Sequence, residues 1–119
     1  MKQLEKIMDN FKNPQNYGKP EKFDKQFSIT NPTCGDKFEV YVSFENDKIT
    51  DFKFEGSGCS ISTAIMSLFS EEIIGKTIKE IKQITEEDII KIFGSRYPPT
   101  RKNCVLMPKN FIKKLSKPF

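Results

Sequence analysis

The 119-residue sequence has no histidine, no tryptophan and only three cysteines. A metal ligand or catalytic base that needs an imidazole is therefore excluded. No segment approaches the roughly 20 apolar residues of a membrane span, and the charged residues 1–6 lack the apolar stretch of a signal peptide. We therefore expect a soluble, cytoplasmic protein with no membrane partner. Its thiols would stay reduced, because the cytoplasm is a reducing compartment.

The composition predicts one domain over residues 1–119. Hydrophobic residues make up 36% of the chain, a low fraction for a globular core, and 11 of them are phenylalanine. A bound metal would therefore add stability. The net charge of +4 is too small to indicate a nucleic-acid partner. The positive charge lies late in the chain, as either a solvated helix face or a docking surface for an acidic partner.

The first half of the chain predicts a helix followed by a sheet. Residues 2–11 place apolar side chains at helical spacing: Leu4, Ile7, Met8 and Phe11. A turn-rich segment ends this helix, and residues 24–30 form a candidate edge strand. Residues 37–44 alternate, with Phe38, Val40, Val42 and Phe44 on one face. Residues 48–54 direct Ile49 and either Phe52 or Phe54 to the core, after a turn at residues 45–47.

Helices are predicted for the second half. Residues 60–74 carry one apolar side, formed by Ile61, Ala64, Ile65, Leu68 and Phe69, with Gly75 as the C-cap. Thr77 and Thr85 begin two shorter helices, the second ending at Gly94. A last helix extends to about residue 117, with its regular part starting near Met107 because of Pro108. This order predicts an α+β fold, a three-stranded antiparallel sheet with helices on one face and an N-terminal helix.

The three cysteines lie in turns or at helix starts, where a thiolate can be stabilised and reached. Cys34 is two residues before Asp36, with Gly35 between them, so a thiolate and a carboxylate can point at one ion. Cys59 comes just before the helix at 60–74, whose N-terminus lowers a thiol pKa. Cys104 follows Pro98 and Pro99, near the cations of Arg101 and Lys102.

The cysteines are 25 and 45 residues apart, unlike the close pairs of zinc fingers. A shared site would therefore have to be built from three distant loops. The alternative is that one or two of these cysteines simply fill the core.

The residues around the cysteines resemble the IscU/SufU/NifU N-terminal family of iron–sulfur cluster assembly proteins over nearly the full chain. The segments that carry the resemblance are an opening helix with Asn13-Pro14-Gln15-Asn16-Tyr17-Gly18, the segment Asn31-Pro32-Thr33-Cys34-Gly35-Asp36, the segment Gly56-Ser57-Gly58-Cys59 with the serine-rich helix after it, and Cys104 at the place of the third cysteine. The four segments occur in the family's order.

The resemblance implies a scaffold that receives persulfide sulfur from a cysteine desulfurase. On it a 2Fe–2S cluster is assembled for transfer to acceptor apo-proteins, and zinc can occupy the same site. Cys34, Cys59 and Cys104 would then be the thiolate ligands of zinc or of the iron. Asp36 would be a carboxylate ligand that makes the site exchangeable, since an oxygen ligand is harder than a thiolate.

Two positions depart from the branches of this family. The IscU branch has histidine before the third cysteine, where this chain has Asn103, whereas the SufU branch lacks that histidine and has a basic residue at the position of Arg101. The long insertion of the SufU branch is absent. The segment from Tyr97 to Arg101 also resembles the chaperone-recognition motif of the IscU branch, although a Pro-Pro pair is ordinary in loops as well.

Three functions therefore stay open. The first is a cluster scaffold, with Cys104 as persulfide acceptor. The second is an enzyme, a zinc-dependent sulfurtransferase in which Cys34 attacks the desulfurase persulfide and Arg101 supports docking or displaces a ligand. The third is a structural zinc module that binds a protein partner through a closed, inert site.

Overall fold

The computed structural model describes residues 2–31, 35–94 and 96–116. Its sheet contains three antiparallel strands in the order β1-β2-β3. They are β1 (Lys25–Asn31), β2 (Asp36–Glu45) and β3 (Lys48–Ser57). The predicted three-stranded antiparallel sheet is therefore confirmed, with β2 and β3 somewhat longer than expected.

A β-bulge explains the irregular apolar pattern of β3. Phe44 pairs with Ile49, whereas Ser43 pairs with Asp51, so Thr50 is an extra residue in the ladder. Such an insertion shifts the alternation of side chains by one position. As a result Ile49 and Phe52, three residues apart, are both fully buried, and so is Phe54.

Six helices accompany the sheet in the described part of the chain. They are α1 (Lys2–Lys12), α2 (Ser60–Ile73), α3 (Ile78–Lys82), α4 (Glu86–Phe93), α5 (Lys102–Val105) and α6 (Met107–Leu115), with a 3₁₀ turn at Pro99–Arg101 before α5. Thr77 and Thr85 cap α3 and α4 through reciprocal capping boxes. The helix predicted over residues 60–74 is confirmed, although its C-cap is Ile74 and Gly75 is the next residue, at φ 96°.

The C-terminal region differs from a single last helix. It divides at Leu106 into α5 and α6, and α6 begins at Met107 as predicted, with Pro108 in its first turn. Proline fits there because the first turn has no intrahelical partner for an N–H group. Residue 117, the predicted end, lies outside the described residues, and α6 ends at Leu115.

The core lies between the helices and the sheet face that carries Phe38, Val40 and Val42. Edge-to-face contacts of Phe52 with Phe69 and Phe111 join β3 to α2 and α6. On the opposite sheet face Tyr41 contacts Phe23, which lies in the segment before β1. The helices thus cover one face, as the sequence predicted.

Two helices are buried differently from what a single apolar face would give. Helix α2 is buried on more than one side, because small polar residues are buried with the apolar ones: Ser62, Thr63, Ser67 and Ser70. In α1 Ile7 packs against the core, but Leu4, Met8 and Phe11 are exposed.

None of the described helices has the length and apolar character required to cross a bilayer.

Candidate metal centre

Three elements bring potential metal ligands to one end of the sheet. Asp36 is the first residue of β2, Cys59 lies between β3 and α2, and Cys104 lies in α5. One carboxylate oxygen and the two sulfur atoms all lie within 4.8 Å of one another. Residues 23 and 45 positions apart therefore converge by tertiary folding, as the hypothesis of a shared site requires.

Cys59 is held at the N-terminus of α2. Its sulfur accepts a hydrogen bond from the Ser62 backbone N–H at 3.4 Å, which caps the helix. A Cβ at Gly58 would lie 2.4 Å from Ser62 Oγ and 2.6 Å from Phe38 Cζ. Only glycine fits this close approach, so Gly58 sets the position from which Cys59 enters the site.

Asp36 faces Cys59 from β2 and is 3% exposed. Its Oδ1 accepts a hydrogen bond from the Cys59 backbone N–H at 3.0 Å. Its Oδ2 is buried and has no hydrogen-bond partner among the described residues. A buried carboxylate oxygen without a partner is unfavourable, and a cation bound between Asp36 and the two sulfurs would compensate it.

Cys104 lies in a helix after the prolines but is fully buried, contrary to the expectation that its thiol can be reached. The apolar residues that follow, Val105 to Met107, anchor α5 in the core and bring the preceding cysteine with them. The side-chain amide of Asn31 donates to the Cys104 sulfur at 3.8 Å. Cys104 therefore faces the interior end of the site, and Cys59 its half-buried side.

Opposing influences act on the Cys59 thiol. Partial burial is the largest of them and raises its pKa, as does the charge of Asp36. Hydrogen bonds with the backbone N–H and the hydroxyl of Ser62 and with the Cys104 thiol outweigh these effects and lower the pKa below its ordinary value. The local structure thus favours the thiolate, which is the form that binds metals.

The donor set fits zinc or iron. Two sulfurs bound to one zinc at about 2.3 Å in tetrahedral geometry lie about 3.8 Å apart, so donors already within 4.8 Å need only small side-chain movements. Thiolates suit zinc and iron–sulfur clusters, and the carboxylate offers a harder ligand beside them.

The model of the NifU-like N terminal domain family matches residues 2–118. The chain belongs to this family. It is 35% identical over 100 residues to the iron–sulfur cluster assembly scaffold protein IscU 1 of Archaeoglobus fulgidus, which covers 84% of this chain and 65% of that protein. The chain thus spans slightly less than two thirds of that relative's length.

The chain is also 42% identical over 73 residues to the zinc-dependent sulfurtransferase SufU of Bacillus subtilis. The match covers 61% of this chain and 49% of that protein. A crystal structure of a candidate scaffold protein for the SUF system from Fervidobacterium islandicum superposes with a TM-score of 0.79. It is 33% identical, over 92% of this chain and 93% of the other. The NifU-like N-terminal fold is therefore shown by sequence and by structure.

The sequence-predicted site residues of this NifU-like domain fall into three groups. Asp36, Cys59 and Cys104 come together. Cys34 lies outside the described residues, and its place in the site stays a prediction. Arg101 is exposed, at the end of the 3₁₀ turn three residues before Cys104.

Two residues that touch the sulfurs were missed as site residues. Asn31 was noted only as part of a motif, and Ser62 was left open between helix surface and site lining. Asn31 offered the better signal, because a polar residue at the buried end of an alternating strand needs a partner. Ser62 offered little, since serine is common on helix surfaces.

Proposed function

We propose that this protein assembles iron–sulfur clusters: it accepts persulfide sulfur from a cysteine desulfurase and builds or relays a 2Fe–2S cluster for acceptor proteins. The observation that carries the proposal is the convergence of Asp36, Cys59 and Cys104 in a chain of the NifU-like family. The reducing cytoplasm suits this chemistry, because thiols stay available there.

The sulfur-accepting step is a thiol exchange. A thiolate of the protein attacks the outer sulfur of the desulfurase persulfide, a new S–S bond forms, and the desulfurase thiolate leaves. No net oxidation occurs in this step. Each sulfur then takes up two electrons from a thiol reductant to become the sulfide of the cluster.

Cys34, Cys59 and Cys104 would hold the iron of the cluster, with Asp36 as the fourth, weaker ligand. The single carboxylate makes release easier than a fourth thiolate would, because hard oxygen binds these metals less tightly than soft sulfur does. The partial exposure of Cys59 beside the buried Cys104 leaves one side of the site open to a partner.

Zinc-dependent sulfur transfer is the second candidate. It is favoured by the absence of histidine and by the 42% identity to a zinc-dependent sulfurtransferase over 73 residues. In this function zinc bound by Cys34, Asp36, Cys59 and Cys104 keeps the thiols deprotonated. Cys34 would attack the persulfide, and Arg101 would support docking or displace a ligand.

A chaperone is a further candidate partner, through residues 97–101. Pro98, Pro99 and Thr100 are exposed and precede α5, which carries Cys104. Binding of an extended partner segment there would act on the site through this short helix.

Anaerobic reconstitution tests the proposal. Protein incubated with ferrous iron, cysteine, dithiothreitol and a desulfurase should develop the visible absorption of a 2Fe–2S cluster, and Cys59→Ser should develop much less. If the wild-type protein stays colourless under conditions that load a known scaffold, cluster assembly is rejected.

Mass spectrometry of the persulfide separates the alternatives. Persulfide on Cys104 fits a scaffold, whereas persulfide on Cys34, with desulfurase turnover stimulated by the zinc form and lost in Cys34→Ala, fits a transferase. Zinc binding without persulfide on any cysteine would instead indicate a structural zinc module.

A further inference from the structure

Asn31 is a buried polar residue that links several parts of the site. It is the last residue of β1 and is 4% exposed. In the ladder it pairs with Asp36, and its carbonyl accepts a hydrogen bond from the Gly35 N–H at 2.8 Å. Its side-chain amide donates to the Cys104 sulfur at 3.8 Å.

The position of Asn31 is fixed by its neighbours rather than by its own side chain. The Thr30 carbonyl accepts a hydrogen bond from the side chain of Asn110 in α6 at 3.0 Å. The carbonyl of Ser28, two residues earlier in β1, accepts one from the side chain of Lys114. The end of β1 is thereby tied to α6, whose chain is continuous with α5. The anchored end of β1 and the anchored helix α5 therefore hold the Asn31 amide next to the Cys104 sulfur.

We propose that Asn31 is a positioning residue for cargo release: its amide N–H withdraws electron density from the Cys104 thiolate and weakens the bond of that sulfur to metal. This inference rests on the proposed function, since it takes Cys104 as a ligand. Hydrogen bonds to ligand sulfurs are among the factors that set the properties of iron–sulfur sites. Mutation of a partner that raises a ligand's basicity typically costs 10- to 100-fold in metal affinity. A donor to a thiolate lowers the basicity of the sulfur, so we expect its removal to act in the opposite direction.

Cobalt(II) provides the test, because its thiolate complexes absorb through sulfur-to-metal charge transfer. The variants are Asn31→Leu, similar in size without a donor, and Asn31→Ala, in case leucine disturbs folding. Asn103→Ala is the matched control, an asparagine next to Cys104 whose side chain is exposed. Circular dichroism checks that each protein is folded.

In both Asn31 variants we expect the charge-transfer band to move to lower energy, because a thiolate without the hydrogen bond is a better electron donor. Removal of cobalt by a chelator should become about tenfold slower, the lower end of the range over which partners of ligands alter metal affinity, whereas Asn103→Ala should match the wild type. A packing role alone would loosen the metal without moving the band.

The inference is overturned by an unchanged band, by faster metal loss, or by equal changes in Asn103→Ala. A wild-type protein that binds cobalt without a charge-transfer band would reject thiolate ligation, and with it both the proposed function and this inference. A normal wild-type band with unaltered Asn31 variants rejects this inference alone.

Discussion

Asp36 shows how one buried residue can be unfavourable for the fold and favourable for the site. One of its oxygens is bonded to the Cys59 N–H, and the other is buried without a partner among the described residues. An unsatisfied buried acceptor costs roughly 1–3 kcal/mol. The metal-free protein bears this cost, and a cation bound by Asp36 would remove it.

Asp36→Asn should therefore have opposite effects on the two forms. The amide oxygen can still accept the Cys59 N–H bond. Its NH2 group takes the unpartnered place of Oδ2, but a neutral amide costs less to bury than an unpaired carboxylate, so we expect the metal-free protein to be more stable by about 1 kcal/mol. Zinc affinity should fall at least tenfold, since a charged ligand is lost. Urea unfolding and competition with a chromophoric chelator measure the two quantities.

Asp51→Asn is the control for this variant, because Asp51 lies on β3 next to Lys53 and away from the sulfurs. It should change neither quantity appreciably. Unchanged zinc affinity in Asp36→Asn would show that Asp36 has only a structural role, through its hydrogen bond to the Cys59 N–H.

Gly58 is a second residue of the site at which one added carbon atom should change both stability and metal binding. In Gly58→Ala the added methyl meets Ser62 Oγ and Phe38, and overpacking of this kind costs about 1–3 kcal/mol. Because the strain falls on the cap of α2, zinc affinity should decrease together with stability. Denaturant unfolding and zinc titration measure both effects.

Gly75→Ala provides the comparison for Gly58. Gly75 has φ 96° and open space around it, so alanine there is strained but far from the metal ligands. It should lose stability and keep zinc affinity. Equal zinc affinities in the two alanine variants would contradict the role assigned to Gly58.

At the scale of elements, α1 and the segment after it are attached to α2 through buried hydroxyls. Ser67 Oγ donates to Asn10 Oδ1 at 2.6 Å and accepts from the Gln15 N–H at 2.7 Å. Residues 16–18 then bond to Phe54 at the outer edge of β3, in both directions. These polar contacts add to the packing of Ile7 against the core in an α1 whose Leu4, Met8 and Phe11 are exposed.

Ser67→Ala should therefore loosen the N-terminal segment. Two partners lose their hydrogen bonds, and we expect a destabilisation of about 1–3 kcal/mol with faster hydrogen exchange in residues 10–18. Ser60→Ala, an exposed serine of the same helix, should behave like the wild type. Unaltered exchange in Ser67→Ala would show that α1 is held by other contacts.

The sequence was sufficient for elements whose signals are local. The alternation in β2, the threonine caps of α3 and α4, and the start of α6 near Pro108 all depend on neighbouring residues. The burial of Ser67 and Cys104 was not predictable, because it depends on which distant segment covers them. The bulge at Thr50 left a trace, the three-residue step from Ile49 to Phe52, but its position requires the partner strand.

The candidate site was predictable to a similar extent. Its cysteines and Asp36 were recognised by their motifs, and the structure brings Asp36, Cys59 and Cys104 together. The contact from Asn31 to Cys104 spans 73 positions. No local pattern contains that contact, since it arises only when α5 and α6 pack beside β1.

At the scale of the molecule, charge is distributed unevenly. Residues 96–116 contain six Lys or Arg residues and no acidic residue, so the rest of the chain has 14 basic residues against all 16 acidic ones. Lys109 donates to Glu86, and this bond, with the charges of Lys109, Lys102 and Lys113, lowers the Glu86 pKa. The basic end of the molecule therefore contains the segment that carries Cys104.

Metal binding should stabilise the whole domain rather than one loop, because the ligands come from β2, the β3–α2 junction and α5. With free zinc at 1,000 times its dissociation constant, the free energy of unfolding should rise by about 4 kcal/mol. Protection against hydrogen exchange should increase in all three segments together. Urea unfolding and exchange mass spectrometry, each with and without zinc, make the measurement.

Cys59→Ser is the decisive control, because it separates the helix cap from the metal ligand. Serine is a strong N-cap residue, so α2 should remain capped and the metal-free stability should stay near that of the wild type. The hydroxyl is a poor zinc ligand compared with a thiolate, so most of the zinc-dependent stabilisation should disappear. If zinc stabilised Cys59→Ser as much as the wild type, or protected a single segment alone, the metal would have to bind somewhere other than between these three elements.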